Sequence, residues 1–345
     1  MHPPFTEAER QVLIALIELS EPIETPNNTH YSFHPTSLAE AAAYFCSLRE
    51  DWIPAYPSLL QRGLLVEKAS TFSLTDPGRQ AARQERLEHP PIWYWYRKYY
   101  TITARSPVYS RFCERLYGRD LSQTDFSDMT QIDFLIRQST LQPGMRGLDL
   151  GCGNGLFAEY LSDCTGAQVV GLDYIPEAIA QAQQRTQPKR DRLQFVVGDL
   201  DHLTEVQGSF DLLTSIDTLY MPNDLPKTLR RMHELLVAGG KMLIFYTEMI
   251  FDPAQSRDIL LPGGTGLAKA LDSVGLRWRT WDFSQATVTL MRRKRILAQE
   301  MRGEFEAEGS LFLYDHLYME SFEGDHAYDP ADANLCRYLY EVSWD

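Results

Sequence analysis

The chain reads as an α/β protein built on a doubly wound, mostly parallel sheet. Three observations lead there. A short apolar run, Gly147-Leu148-Asp149-Leu150, stops at glycines on alternate positions, Gly151, Gly153 and Gly155. Three further apolar runs follow, and each ends in an acid: Gln168–Asp173, Leu193–Asp199 and Phe210–Asp217. Helical patterns separate them, the first with Phe157, Tyr160 and Leu161 on one face. Short apolar runs bounded by turn residues and alternating with helical segments are the pattern of parallel strands joined by crossover helices.

Residues 1–90 read as a small helical domain with a hairpin. Thr6 and Glu9 have capping-box spacing, and Val12, Leu13, Leu16 and Ile17 then form one apolar helix face. A polar loop falls near 21–30. Further helices are predicted from Ser37 to Leu48 and over Ala55–Gln61. Two short strands follow, around Leu65 and Phe72. Asp76-Pro77 caps a last helix, with proline at its first position. Three helices and a hairpin resemble a winged helix.

Residues 91–126 are aromatic, with Trp93-Tyr94-Trp95-Tyr96, Tyr99-Tyr100, Tyr109, Phe112 and Tyr117. They read as linker helices, serving as packing, as a lid, or as both. The α/β domain spans 127–345. Ser127 is placed to cap a helix that turns Met129, Ile132, Leu135 and Ile136 inward. A fifth strand, Lys241–Tyr246, follows a Gly239-Gly240 turn. Leu276–Phe283 and Arg337–Ser343 read as the sixth and seventh. An insertion at about 284–335 separates those two. It holds a charged helix near 286–306, the stretch Leu311–Met319 and an acidic loop, 320–332. Such a separation far exceeds a hairpin loop.

The glycine turn with its succession of acid-tipped strands resembles the motif series of the class I methyltransferases, which use S-adenosylmethionine. The resemblance extends over roughly residues 127–250. A dinucleotide fingerprint would place its third glycine one residue later, where Leu156 stands. The resemblance implies a seven-stranded sheet and a cofactor laid across Gly151, Cys152, Gly153, Asn154 and Gly155. Asp149 then ties down the turn or meets the cofactor's amino group through water. Asp173 accepts both ribose hydroxyls, Tyr174 lies against the adenine, Asp199 accepts from the adenine amino group, and Leu200 donates its backbone N–H. Ser215 stands beside the methyl group. The family's N-terminal segment covers the methionine end, which nominates Tyr100 and Tyr109. Gln131 is placed to reach the cofactor carboxylate.

Methyl transfer from a sulfonium releases a neutral thioether, so alignment and exclusion of water carry most of the catalysis. A base is needed only where the nucleophile must lose a proton. The acceptor side is accordingly less legible. Asp217, Tyr220 and Glu248 are the nominated residues. Asp217 has two open readings, a group that holds an ammonium or takes a proton, and a cap for the next turn. Tyr246 and Glu248 are expected to line the same pocket. His233 reads as surface or packing. His316 and His326 qualify as bases only if the insertion folds over the site.

With 345 residues and 44% hydrophobic content, the chain can bury two cores. Its net charge of −14 argues against holding a nucleic-acid backbone. The runs Arg230-Arg231 and Arg292–Arg295 are too short to offset it. Residues 1–90 carry seven basic and twelve acidic side chains, which argues against DNA binding by the winged-helix-like part. Homodimer formation, or a wall for the substrate pocket, is the preferred role for that part. Five cysteines (Cys46, Cys113, Cys152, Cys164, Cys336) lack disulfide or zinc spacing, so no metal is expected. No signal peptide or apolar span stands out, and a soluble cytoplasmic protein is expected. The predicted activity is methylation of a nitrogen or oxygen on a small molecule. The alternatives are a winged-helix regulator that senses the cofactor, and a protein or tRNA methyltransferase.

Overall fold

The computed structural model describes residues 4–21, 35–45, 47–69, 71–124, 126–250, 252, 254–322 and 333–343. Most of the polar loop expected near 21–30, and the acidic loop from 323 with His326, lie outside them. The chain divides into two compact units, Met1–Tyr99 and Tyr100–Asp345.

The first unit holds α1 (Glu7–Ser20), α2 (Leu38–Tyr44), a 3-10 turn Arg49–Trp52, α3 (Ala55–Gln61), β1 (Leu65–Lys68), β2 (Thr71–Leu74) and α4 (Asp76–Glu88). It also holds most of α5 (Pro91–Thr103). The predicted capping box of α1 is present. Glu9 N donates to Thr6 Oγ1 at 3.3 Å, and Thr6 N donates to Glu9 Oε2 at 2.7 Å. The apolar face of α1 packs on Trp52, Phe45, Leu59 and Tyr94. β1 and β2 form an antiparallel hairpin, Leu65 opposite Leu74. The cap of α4 is Thr75, one residue earlier than the expected Asp76, because its hydroxyl reaches Gly78 N at 3.1 Å. Glu85, Glu88 and His89 bring their ligand atoms within 4.8 Å of one another. Arg10 already supplies positive charge there, 3.2 Å from Glu85.

The second unit is a seven-stranded sheet in the order β5-β4-β3-β6-β7-β9-β8. Its strands are β3 (Arg146–Leu150), β4 (Gln168–Asp173), β5 (Leu193–Val197), β6 (Phe210–Ile216), β7 (Leu236–Met249), β8 (Trp278–Asp282) and β9 (Leu335–Ser343). Pairing is parallel throughout except at β9, which runs antiparallel to both β7 and β8. One face packs on α10 (Leu225–Glu234) and α11 (Gly266–Ser273). The other packs on α7 (Met129–Ser139), α8 (Leu156–Thr165) and α9 (Pro176–Arg185). The fifth strand starts earlier than its sequence suggests. Leu236 already pairs with Phe210, and the register shifts before Leu212 meets Lys241. Between those two pairings β7 carries three more residues than β6, and the Gly239-Gly240 turn lies in that excursion, within β7 rather than ahead of it.

The insertion is α12 (Ser284–Glu308) followed by α13 (Leu311–Met319). α12 lies along α6 (Pro107–Tyr117), with Phe112 and Phe305 centroids 6.2 Å apart. Glu308 accepts from Val108 N at 3.1 Å and from Ser106 Oγ. The ion pairs Arg111–Glu304 and Arg115–Glu300 flank that contact, half exposed. Pairs of this kind contribute about 0–1 kcal/mol each, so the buried Phe112, Met301 and Phe305 carry more of the packing.

Candidate active site

The chain leaves β3 for β4 on one side and returns to β6 on the other. The tips of β3 and β6 therefore flank the point where the strand order reverses, the usual ligand crevice of open α/β sheets. The glycine turn, Asp173 and Asp217 all meet there.

The turn is held from within. Gly151 N and Cys152 N both donate to Leu172 O, at 2.8 and 3.0 Å, and Gly155 N donates to Cys152 O at 2.9 Å. Gly153 N donates to Asp173 Oδ2 at 2.8 Å. Asp173 Oδ1 takes Ile175 N at 2.9 Å. Burial pushes the Asp173 carboxyl up to about 6, against the pull of these N–H groups. Cys152 needs correcting. Its N–H and carbonyl are both taken by the protein, and its thiol is buried against Gly171, so its backbone is not open to a ligand. A Cβ on Gly151 would collide with Thr218, and one on Gly153 with the Tyr100 hydroxyl. Glycine is needed at both for close approach, and both have positive φ, 72° and 54°. Part of that room is taken by Thr218 and Tyr100, which stand as walls of the turn.

Asp149 is buried in β3, and Thr214 Oγ1 donates to it at 2.8 Å. Burial raises its carboxyl to about 7. Asn154 is buried, and its carbonyl accepts from Arg185 at 2.8 Å. Beside it an open hollow of about 750 Å³ is lined by Ser106, Tyr109, Asn154, Gln181 and Arg185 among others. Tyr174 follows Asp173 and is half-buried. Asp199 is exposed and turns back on its own loop, accepting Asp201 N at 2.9 Å. Leu200 is buried, its carbonyl taking Thr228 Oγ1 at 3.2 Å. Ser215 sits opposite Leu150, and its buried Oγ has no partner among the described residues.

Two nominated cofactor contacts are directed elsewhere. Tyr109 is buried, stacks on Phe112, and donates its hydroxyl to Gln123 O at 2.6 Å. Gln131 is fully buried, with its amide nitrogen on Phe126 O and its oxygen on Arg337 Nε, both at 2.9 Å. Both polar groups are engaged within the protein. Ser127 does not cap α7. Asp128 does, and Ser127 Oγ accepts from Arg337 Nη2 at 2.5 Å.

On the acceptor side the three nominated residues part company. Tyr220 donates to Asp217 Oδ1 at 3.0 Å and accepts Thr247 N at 2.6 Å. Burial drives its phenol far above the ordinary range, and its hydroxyl is already engaged with Asp217 and Thr247. Glu248 lies on the opposite sheet face from Thr247 and Arg337, as strand alternation requires. There it accepts Gly266 N at 3.0 Å at the start of α11, and burial raises its carboxyl. It anchors a helix and does not line Asp217's pocket. His316 meets Glu320 at 3.1 Å. Arg337 stands in the sequence only as the first residue of the seventh strand, and its partners Gln131, Ser127, Asp217 and Thr247 lie 90 or more residues away, so no local pattern marks it.

A model of the methyltransferase domain matches residues 148–240. The glycine turn, Asp173, Asp199 and Asp217 all fall inside that span.

Residues 148–240 are a methyltransferase domain, set in a seven-stranded sheet of the class I order.

Among its relatives, phosphoethanolamine N-methyltransferase 1 of Zea mays is 31% identical over 131 residues, covering 38% of this chain and 26% of that protein. A ubiquinone biosynthesis O-methyltransferase of Xanthomonas axonopodis pv. citri is 28% identical over 138 residues, covering 39% and 57%. The chain thus spans about a quarter of the length of the first of these relatives. Among solved structures, the methyltransferase domain and its surroundings superpose on Haemonchus contortus phosphoethanolamine N-methyltransferase 2, bound to phosphomonomethylethanolamine and S-adenosylhomocysteine. The TM-score is 0.54 at 19% identity, over 72% of this chain and 59% of that one. The [4+2]-cyclase SpnF superposes almost as well, at 0.53 and 15% identity over 73% and 95%. These likenesses show the fold; one fold carries different chemistries.

Proposed function

We propose that the domain binds S-adenosylmethionine and methylates a nitrogen or oxygen of a small molecule. The observation that carries this is Asp173, a buried carboxylate at the tip of β4 bonded to the middle of the glycine turn. A carboxylate in that position suits a pair of ribose hydroxyls, since each of its oxygens keeps acceptor capacity beyond its one N–H bond. Ser215 Oγ, buried and without a protein partner, is a second polar atom fit for a ligand at the tip of β6. When bound, the cofactor supplies an electrophilic methyl group and a leaving thioether that needs no proton. The chain's own contribution is then placement. Asp173 and the glycine turn hold one end, Tyr100 and Thr218 wall the turn and keep water out, and Asp217 faces the acceptor. The names of the relatives, acting on an amine and on a hydroxyl, support both atom types.

For the first unit we propose a winged-helix-like fold used for self-association rather than DNA reading. Arg62, the basic side chain at the end of α3, lies 3.6 Å from Glu9 and over the Phe5 ring. It is poorly placed to enter a groove. A cytoplasmic setting fits the four described cysteines, all free. No helix among the described residues is long and apolar enough to cross a membrane.

The deciding experiment measures S-adenosylhomocysteine binding by calorimetry, and its release from S-adenosylmethionine over a panel of amines, phenols and carboxylates. Turnover with one class supports the reading. Cofactor binding with no turnover across the panel would favour a sensor, and no binding at all would end the proposal.

A further inference from the structure

Arg337 is the most heavily bonded side chain beside the crevice, and it is fully buried. Nε donates to Gln131, Nη2 to Ser127, and Nη1 to both Asp217 Oδ1 and Thr247 Oγ1, each at 2.6 Å. The guanidinium also lies 4.6 Å over the Phe245 ring. Asp217 Oδ1 receives two more donors, Tyr220 at 3.0 Å and Thr247 Oγ1 at 3.2 Å. Asp217 Oδ2 is buried and has no partner among the described residues. Asp217 also holds a left-handed backbone, φ 52°, uncommon for a non-glycine residue, though aspartate tolerates it better than most. Every anchor falls on one oxygen and none on the other. Arginine frequently pairs with a carboxylate through both oxygens, and here it does not.

We propose that Arg337 is a positioning residue that fixes Asp217 by Oδ1 and reserves Oδ2 for an N–H or O–H of the methyl acceptor. The inference rests on the methyl-transfer reading and narrows its substrate class. The acceptor is a molecule whose nucleophilic atom carries hydrogen, a primary or secondary amine or a hydroxyl, rather than a tertiary amine or a carbon nucleophile. Asp217 accepts the hydrogen bond that aims the nucleophile's lone pair at the methyl group.

The test uses the full chain with phosphoethanolamine, sarcosine and catechol as acceptor probes. S-adenosylhomocysteine affinity and kcat and KM for the fastest probe are measured in Arg337→Lys, Arg337→Gln, Asp217→Asn and the double variant Asp217→Asn/Arg337→Gln. Cofactor-product affinity should stay within about threefold in all. The rate kcat should fall by about tenfold or more in Asp217→Asn and in Arg337→Lys, because an ammonium cannot reproduce the planar fork. The double variant should be no slower than Asp217→Asn, since both changes act through the same carboxylate. Arg337→Gln leaves Asp217 as an uncompensated buried charge, a change costly enough to prevent folding. The double variant removes both charges and decides the matter in that event. Additive losses, an unchanged rate in Arg337→Lys, or a loss of S-adenosylhomocysteine affinity that matches the loss of rate each overturn the proposal. The last would place Oδ2 against the cofactor. Wild-type protein that binds S-adenosylhomocysteine but turns over none of the probes overturns the methyl-transfer reading, and this inference with it.

Discussion

Asp173 Oδ2 accepts the Gly153 N–H at 2.8 Å, and this bond ties the tip of β4 to the centre of the glycine turn. The same carboxylate is the proposed ribose acceptor, so one residue would both shape the turn and contact the ligand. Replacing Asp173 with alanine should weaken S-adenosylhomocysteine binding by about 1–3 kcal/mol, the usual loss for a charged hydrogen-bond acceptor. Calorimetry reads this directly, and an unchanged Kd refutes the assignment.

The affinity should also depend on pH. Burial raises the Asp173 carboxyl to about 6 in the protein without ligand. Two ribose hydroxyls need the ionised form, so binding favours loss of the proton. Affinity should be flat above about pH 7 and fall roughly tenfold per pH unit well below 6, by linkage. A Kd that stays constant from pH 8 to pH 5 would count against Asp173 as the acceptor.

Asp149 gives a separate pH signature, in stability. Its folded value, raised by burial to about 7, lies above its ordinary 3.8. A carboxyl raised on folding favours the native state below its unfolded value, and that contribution is lost as pH rises through the folded one. The melting temperature should therefore decline between about pH 4 and pH 7 from this group. Asp149→Asn keeps a partner for Thr214 and abolishes the buried charge, so its decline should be shallower. Parallel curves for the two proteins would show that Asp149 is not the source.

Gly153 and Gly239 both have positive φ, 54° and 79°, but different surroundings. A Cβ at Gly153 would strike Tyr100, whereas one at Gly239 meets nothing within 4 Å. Gly239→Ala should cost about 1–2 kcal/mol, the conformational penalty alone. Gly153→Ala should cost more and should also lower S-adenosylhomocysteine affinity. Equal losses in denaturant titrations would mean that the Tyr100 contact yields freely.

The first unit should not bind DNA tightly. Mobility shifts with random and genomic duplexes at low salt should show no complex at micromolar protein. A tight, salt-sensitive complex, the mark of phosphate contacts, would reverse the proposed role of that unit.

Much of this molecule was legible in its residues. Thr6 and Glu9 announced the first helix by a local spacing that the structure reproduces atom for atom. The parallel strands were readable because they are apolar runs, and β3, β4 and β6 are largely buried on both faces. The alternate glycines marked the turn between β3 and α8. Such signals are local, and backbone chemistry enforces them wherever they occur. The start of β7 at Leu236 was missed, because a glycine turn reads as the boundary of a strand even where pairing begins before it.

What the sequence by itself determined, then, is the α/β sheet, its glycine turn and the acids at its strand tips. Tertiary structure alone decided which of those groups are available. Sheet alternation turned Glu248 away to α11, and Gln131 and Tyr109 were drawn into internal hydrogen bonds. Arg337 stands 120 residues from Asp217 in the chain, yet antiparallel pairing of β9 with β7 places it opposite Thr247, within 2.6 Å of the Asp217 carboxylate. Hydrogen-bond partners so distant in sequence leave no periodic trace, because the need to satisfy buried polar groups is met by whichever neighbours the fold supplies.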